Sequence, residues 1–102
     1  MEMRLKDKVA LITGGASGFG KETASLFKEH GATVFISDIN SERGKTVAKE
    51  LDIDFFEHDV TDSKRWEEVI NEIEGKAGSL NILVNNAGIG FISDVESTSE
   101  ED

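Results

Sequence analysis

The chain reads as an α/β fold, a doubly wound parallel sheet, and three observations lead there. Short apolar runs alternate with stretches of helical period in the order β-α-β-α-β-α-β. Every connection between successive strands holds a helix, so the strands pair in parallel through right-handed crossovers. A glycine-rich turn sits directly between the first strand and the first helix. With 102 residues, the chain has room for one small domain and a modest core.

Val9–Thr13 is nearly all apolar, as expected of a strand covered on both faces. Lys21 to His30 then has helical spacing, with Ala24 and Phe27 on one side and Gly31 in the place of a C′ glycine. Thr33–Asp38 is the second strand. Ser41 is positioned to cap a helix running to Leu51, with Val47, Ala48 and Leu51 as its stripe. Asp54–His58 is the third strand. Thr61, Asp62 and Ser63 are three candidate caps for a helix whose Trp66, Val69, Ile70 and Ile73 follow the i, i+3, i+4, i+7 pattern. Gly75 and Gly78 mark its end, and Asn81–Asn85 is the fourth strand.

Composition excludes several functions. Twenty-one acids face eleven bases, a net charge of −10 that argues against a nucleic-acid partner. The absence of Cys removes disulfides, thiolate nucleophiles and zinc–thiolate sites, and it agrees with a cytoplasmic location. No apolar run reaches the length of a membrane span, and the charged start Met1–Lys8 is unlike a signal peptide, so no membrane partner is expected. No metal site is expected either. Residues 93–102 carry five acids and no base. They form an acidic tail in which Thr98-Ser99-Glu100-Glu101-Asp102 resembles the first turn of a helix that is cut off. The remaining residues, 1–92, are read as a partial dinucleotide-binding domain.

The chemistry concentrates in Thr13-Gly14-Gly15-Ala16-Ser17-Gly18-Phe19-Gly20. Glycines allow a sharp turn and a close approach of backbone to an anion, and the following helix N-terminus offers unpaired N–H groups. Two nucleotide readings compete. Gly15 to Lys21 matches the G-x-x-x-x-G-K spacing of a P-loop, but Glu22 stands where that loop needs Ser or Thr for magnesium. A P-loop phosphohydrolase is therefore disfavoured. The dinucleotide reading fits better: Asp38 closes the second strand, where a carboxylate accepts from both hydroxyls of an adenosine ribose and repels a 2′-phosphate. That favours NAD over NADP.

Thr-Gly-x-x-x-Gly-x-Gly, with glycines at 14, 18 and 20, resembles the cofactor signature of the short-chain dehydrogenase/reductase family in its classical branch. Asp38, Asp59-Val60 and Asn85-Asn86-Ala87-Gly88 match further motifs of that family, in register across residues 9 to 90. The resemblance implies an NAD(P)-binding Rossmann-like fold, its sheet incomplete and ordered 3-2-1-4. It also implies roles for particular residues. Gly14, Ser17, Gly18, Phe19 and Gly20 surround the pyrophosphate, Asp38 and Ile39 hold the adenosine ribose and adenine face, and Asp59 and Val60 meet the adenine. Asn86, Ala87 and Gly88 pass beside the ribose. Asn81 departs from the family's usual Asp.

A second departure concerns catalysis. The family works through a Tyr and a Lys four residues later, and this chain has no Tyr, so no catalytic residue is assigned and the 102 residues alone are expected to be inactive. The resemblance therefore implies the N-terminal, cofactor-binding fragment of an NAD-dependent oxidoreductase that interconverts an alcohol and a carbonyl. The complete protein would act on a small molecule as a dimer or tetramer. The alternative is a short, non-catalytic module that binds a dinucleotide or a partner. In the isolated fragment, the apolar residues of Val9–Ile12 and Ile82–Val84 are expected to be partly uncovered and the edge of the fourth strand bare.

Overall fold

A computed structural model describes residues 5–85 and the backbone of Ile92–Asp94. In chain order the elements are β1 (Val9–Thr13), α1 (Gly18–Glu29), β2 (Thr33–Asp38), α2 (Ser41–Leu51), β3 (Asp54–Glu57), α3 (Ser63–Ala77), β4 (Ile82–Asn85) and β5 (Ile92–Asp94). The sheet order is β3-β2-β1-β4-β5. The first four strands pair in parallel in the expected 3-2-1-4 arrangement, with Leu11 opposite both Phe35 and Leu83.

Alternation along β1 divides the core into two layers. Ile12 faces α1 and α2, packing with Ala24, Val34, Ile36, Val47 and Ala48. Val9 and Leu11 face α3, with Phe35, Phe56, Val69 and Ile73. Both layers follow from the period-two exit of side chains from a strand. All of Val9–Ile12 is buried, so the expected exposure of that strand does not occur; of the apolar residues of β4, Ile82 and Leu83 are half-covered and Val84 is buried. Nor is the β4 edge bare, because β5 pairs antiparallel to it, with Ile82 opposite Asp94 and Val84 opposite Ile92. The first two residues of the acidic 93–102 segment thus belong to a strand, and residues 95–102 lie outside the described residues.

Caps shift several boundaries. Ser17 caps α1 by accepting the Gly20 N–H on its Oγ at 3.0 Å, which draws Gly18–Gly20 into the first turn and starts the helix three residues before Lys21. Asn40, not Ser41, caps α2, its Oδ1 accepting from Arg43 N. Of the three candidates before α3, Asp62 is the cap and accepts from Lys64 N and Arg65 N. Side-chain oxygens that answer the orphan donors of a helix start set each boundary. Gly44 of α2 lies under the Phe55 ring, and a Cβ there would come within 2.0 Å of it.

Asn81 explains how β4 is registered. Its backbone N–H donates to Val9 O and its Oδ1 accepts from Val9 N, each at 2.9 Å. Thr13 closes the other end of the pair, donating from Oγ1 to Asn85 Oδ1 at 3.0 Å. An amide at position 81 therefore supplies the acceptor that the first residue of β1 needs.

Candidate functional site

The carboxyl ends of β1, β2 and β3 meet at one rim, as open parallel sheets require of a ligand site. There Gly14, Ser17, Asp38, Ile39, His58, Asp59 and Val60 line a cleft of about 350 Å³. Six of these seven are residues that the sequence singles out. Gly18, Phe19 and Gly20 stand beside it in the first turn of α1. Asn86, Ala87 and Gly88 lie outside the described residues.

The glycine turn is tight and internally braced. Gly14 takes φ +69°, a conformation that glycine adopts without a Cβ penalty. Gly15 donates to Ser37 O at 3.0 Å and lies so close to β2 that a Cβ would sit 2.5 Å from Ile36 Cβ. Ser17 Oγ donates to Gly14 O at 2.9 Å while accepting from Gly20 N, which fixes the turn from inside. Among the described residues, the N–H groups of Gly18 and Phe19 make no hydrogen bond, whereas Gly15, Ala16, Ser17 and Gly20 all do. Two donors at the positive end of a twelve-residue helix are thus left for a ligand. Among the described residues, a Cβ at Gly18 would meet nothing within 4 Å.

Asp38 is half-buried at the end of β2 and holds two backbone groups. Its Oδ2 accepts from Ala16 N at 3.0 Å and its Oδ1 from Asn40 N at 2.9 Å. An ionised carboxylate has about four acceptor positions, so two remain for a diol. The same side chain therefore braces the glycine turn and faces the cleft. Among the described residues no Lys or Arg lines the cleft, whereas Asp38 and Asp59 both do.

Asp59 and Val60 form the opposite side. Asp59 Oδ1 accepts from Thr61 N at 3.0 Å and from Thr61 Oγ1 at 2.7 Å. These bonds, the hydroxyl first, hold the Asp59 carboxyl below its ordinary pKa, so it is an anion and purely an acceptor at neutral pH. Among the described residues its Oδ2 accepts no hydrogen bond. Ile39, 66% exposed, supplies an apolar wall, and Phe19, 68% exposed, stands over the first turn of α1.

His58 is the lining residue that the sequence marks only as the end of the third strand. Its side chain is only 2% exposed. Nδ1 lies 3.1 Å from Ser37 Oγ, and the Trp66 ring meets the imidazole edge-on at 4.4 Å between centroids. Burial foremost, and then the Arg65 charge, lower its pKa, against the raising effect of Asp59 and Asp62. The alternation of β3 offered the signal: His58 continues the inward side of Phe56, which makes it a buried residue at a strand end. Among the described residues no group of three His, Cys, Asp or Glu side chains is placed to hold a metal ion, and no helix is long and apolar enough to cross a membrane.

Comparison with known proteins agrees with this geometry. Residues 8–102 match the family model described as short chain dehydrogenase. The chain is 45% identical over 104 residues to 3-beta-hydroxysteroid dehydrogenase of Comamonas testosteroni, covering all of this chain and 41% of that protein. It is 44% identical over 88 residues to (+)-borneol dehydrogenase 1 of Salvia officinalis, covering 84% of this chain and 34% of that one. Among solved structures, 3-ketoacyl-(acyl-carrier-protein) reductase from Brucella melitensis complexed with NADH superposes with a TM-score of 0.78 at 39% identity, covering 84% of this chain and 36% of that one. The chain thus spans about two fifths or less of the length of these relatives.

Proposed function

This chain belongs to the short-chain dehydrogenase family, and we propose that it is the nucleotide-binding part of an NAD-dependent oxidoreductase that interconverts an alcohol and a carbonyl. The bound nicotinamide would supply or accept the hydride. The observation that carries the reading is the conjunction at one rim of a β2 carboxylate with acceptor capacity to spare and two helix N–H donors that make no hydrogen bond among the described residues.

Residues present here would bind and orient the cofactor. The N–H groups of Gly18 and Phe19 face the pyrophosphate, with Gly14, Ser17 and Gly20 shaping the turn around it. Asp38 accepts from the ribose hydroxyls, and its charge disfavours a 2′-phosphate, which makes NAD the preferred cofactor. Ile39 and Val60 cover the adenine faces, and Asp59 accepts from its amino group. Asn86, Ala87 and Gly88 complete the ribose side. These 102 residues contain no Tyr, so the Tyr-Lys pair that the family resemblance implies for proton transfer is assigned to none of them. The similarity to a steroid and a borneol dehydrogenase supports a small alcohol or ketone as substrate. We place the protein in the cytoplasm and expect the intact enzyme to be a dimer or tetramer.

The test is equilibrium titration of the intact protein with NADH and NADPH in the presence of EDTA. Tighter binding of NADH, with no need for magnesium, is the expected result. A requirement for magnesium and a nucleoside triphosphate would replace this reading with phosphohydrolase chemistry.

A further inference from the structure

We propose that the buried Ser37–His58 pair is the positioning element of the adenosine end, setting the spacing between Asp38 on one side of the cleft and Asp59 and Val60 on the other. The inference rests on the dinucleotide reading above and extends it to two residues that do not themselves grip the cofactor.

The backbone explains why such an element is needed. The β2–β3 ladder ends at Asp38 opposite Glu57, so the two carboxylates of the cleft lie at and just beyond the last pair. Beyond that pair one backbone bond continues, from His58 N to Asp38 O at 3.0 Å. The side-chain contact between His58 Nδ1 and Ser37 Oγ at 3.1 Å then ties the residue before Asp38 to the residue before Asp59. Ser37 and His58 are both essentially inaccessible to water, so this contact has no solvent competitor.

A second link leads onward to Val60. The imidazole abuts Trp66 of α3, and the indole Nε1–H donates to Val60 O at 2.7 Å. Strand end, imidazole, indole and the Val60 carbonyl thus form one contiguous chain behind the cleft. The cost of the arrangement is visible: His58 Nε2 is buried with no hydrogen-bond partner among the described residues. An apolar ring would fill the same position without that penalty. The histidine earns its place through Nδ1, the atom that reaches Ser37.

The experiment measures NADH and NADPH affinity of the intact protein and of Ser37→Ala, His58→Phe and His58→Asn, with AMP as a probe of the adenosine end. Wild type is expected to bind AMP and to prefer NADH. Ser37→Ala and His58→Phe should each weaken AMP and NADH roughly five- to tenfold and narrow the NADH preference, the scale of one lost buried hydrogen bond. His58→Asn retains a polar atom near the Nδ1 position and should recover most of the loss. On an Asp38→Ala background, Ser37→Ala should cost less than about twofold, because the spacing no longer matters once one side is gone. Circular dichroism and a cooperative melt establish that each variant is folded.

Wild-type AMP and NADH binding together with unchanged affinity in folded Ser37→Ala and His58→Phe proteins would overturn the positioning role alone. Full additivity of Ser37→Ala with Asp38→Ala would do the same. A wild-type protein that binds neither AMP nor NADH would remove the dinucleotide reading itself, and this inference with it.

Discussion

Replacing Asp38 by Ala separates two tasks that one carboxylate performs. In the free protein, the change leaves Ala16 N without its 3.0 Å acceptor and Asn40 N without its 2.9 Å acceptor. Ala16 is buried, so its stranded donor costs about 1–3 kcal/mol, whereas the exposed Asn40 is re-solvated cheaply. Stability should therefore fall by about 2 kcal/mol in denaturant melts. In the complex, two charge-assisted bonds to the ribose diol are lost as well. At about 1.5–3 kcal/mol each, less the water bonds regained, the NADH loss is about 3 kcal/mol, or roughly a hundredfold in affinity. NADPH should respond in the opposite sense. Opposite a 2′-phosphate, a carboxylate at about 4 Å repels each unit of charge by about 4 kcal/mol at an effective dielectric constant of about 20. Removing it relieves that repulsion, and the preference for NADH should collapse. Fluorescence titration of both dinucleotides provides the assay, alongside urea melts. An unchanged NADH-to-NADPH ratio would refute the ribose role, and an unchanged melt would refute the brace on the glycine turn.

Other perturbations divide stability from binding in different ways. Gly18→Ala places a methyl where the described residues have no atom within 4 Å, so stability should hold or rise by about 0.5–1 kcal/mol while dinucleotide affinity falls at least about tenfold; an unaffected NADH titration would mean that no phosphate approaches Gly18. Gly44→Ala should do the reverse, because its Cβ would sit 2.0 Å from the Phe55 ring; we expect about 1–3 kcal/mol of destabilisation with NADH affinity preserved in the folded fraction. The lowered pKa of His58 sets a pH dependence. The unfolded chain binds a proton on this residue, with an ordinary pKa of 6.5, more readily than the folded protein. Its contribution is therefore complete above pH 6.5 and is lost as pH falls through 6.5 toward the folded value. Urea melts of His58→Asn should show a flatter profile in that window, and identical wild-type and variant slopes would count against a buried neutral imidazole. Asp59 acts lower on the scale: its pKa lies below 3.8 in the folded protein, so its contribution is present above 3.8 and disappears on further acidification. Thr61→Val should weaken that acid dependence, measured by the same melts.

Most of the fold was legible because its signals are local and repeat. The all-apolar Val9–Ile12 run and the alternation of short runs with helical stretches specify parallel strands and crossovers before any contact is known. Helix starts were less legible, since Asn40 and Ser41 are both good caps and only the actual turn decides which oxygen meets Arg43 N. Drawing Gly18–Gly20 into α1 was similarly hidden, because glycine propensity argues against helix and the Ser17 cap overrides it. The antiparallel β5 has no sequence signal of its own: Ile92-Ser93-Asp94 is three residues long, and it pairs with β4 because an edge offers unpaired backbone groups.

The candidate site was legible where a motif carries chemistry and illegible where a residue works through another. Gly14, Ser17, Asp38, Ile39, Asp59 and Val60 all line one cleft. The bond from Ala16 N to Asp38 spans 22 positions, and the Ser37–His58 contact spans 21. Neither spacing has a pattern to read, since both arise from strand register. Gly15 likewise looks like one more turn residue until β2 is seen packed against it.

One measurement bears most directly on the central claim, that the rim of β1, β2 and β3 holds NAD through Asp38 and the first turn of α1. It is a paired calorimetric titration of the intact protein with NADH and NADPH in EDTA, repeated with Gly18→Ala. NADH binding clearly stronger than NADPH, lost in a Gly18→Ala protein that melts like wild type, is the predicted result. Equal or stronger binding of NADPH, or a Gly18→Ala protein with undiminished NADH affinity, would contradict the account.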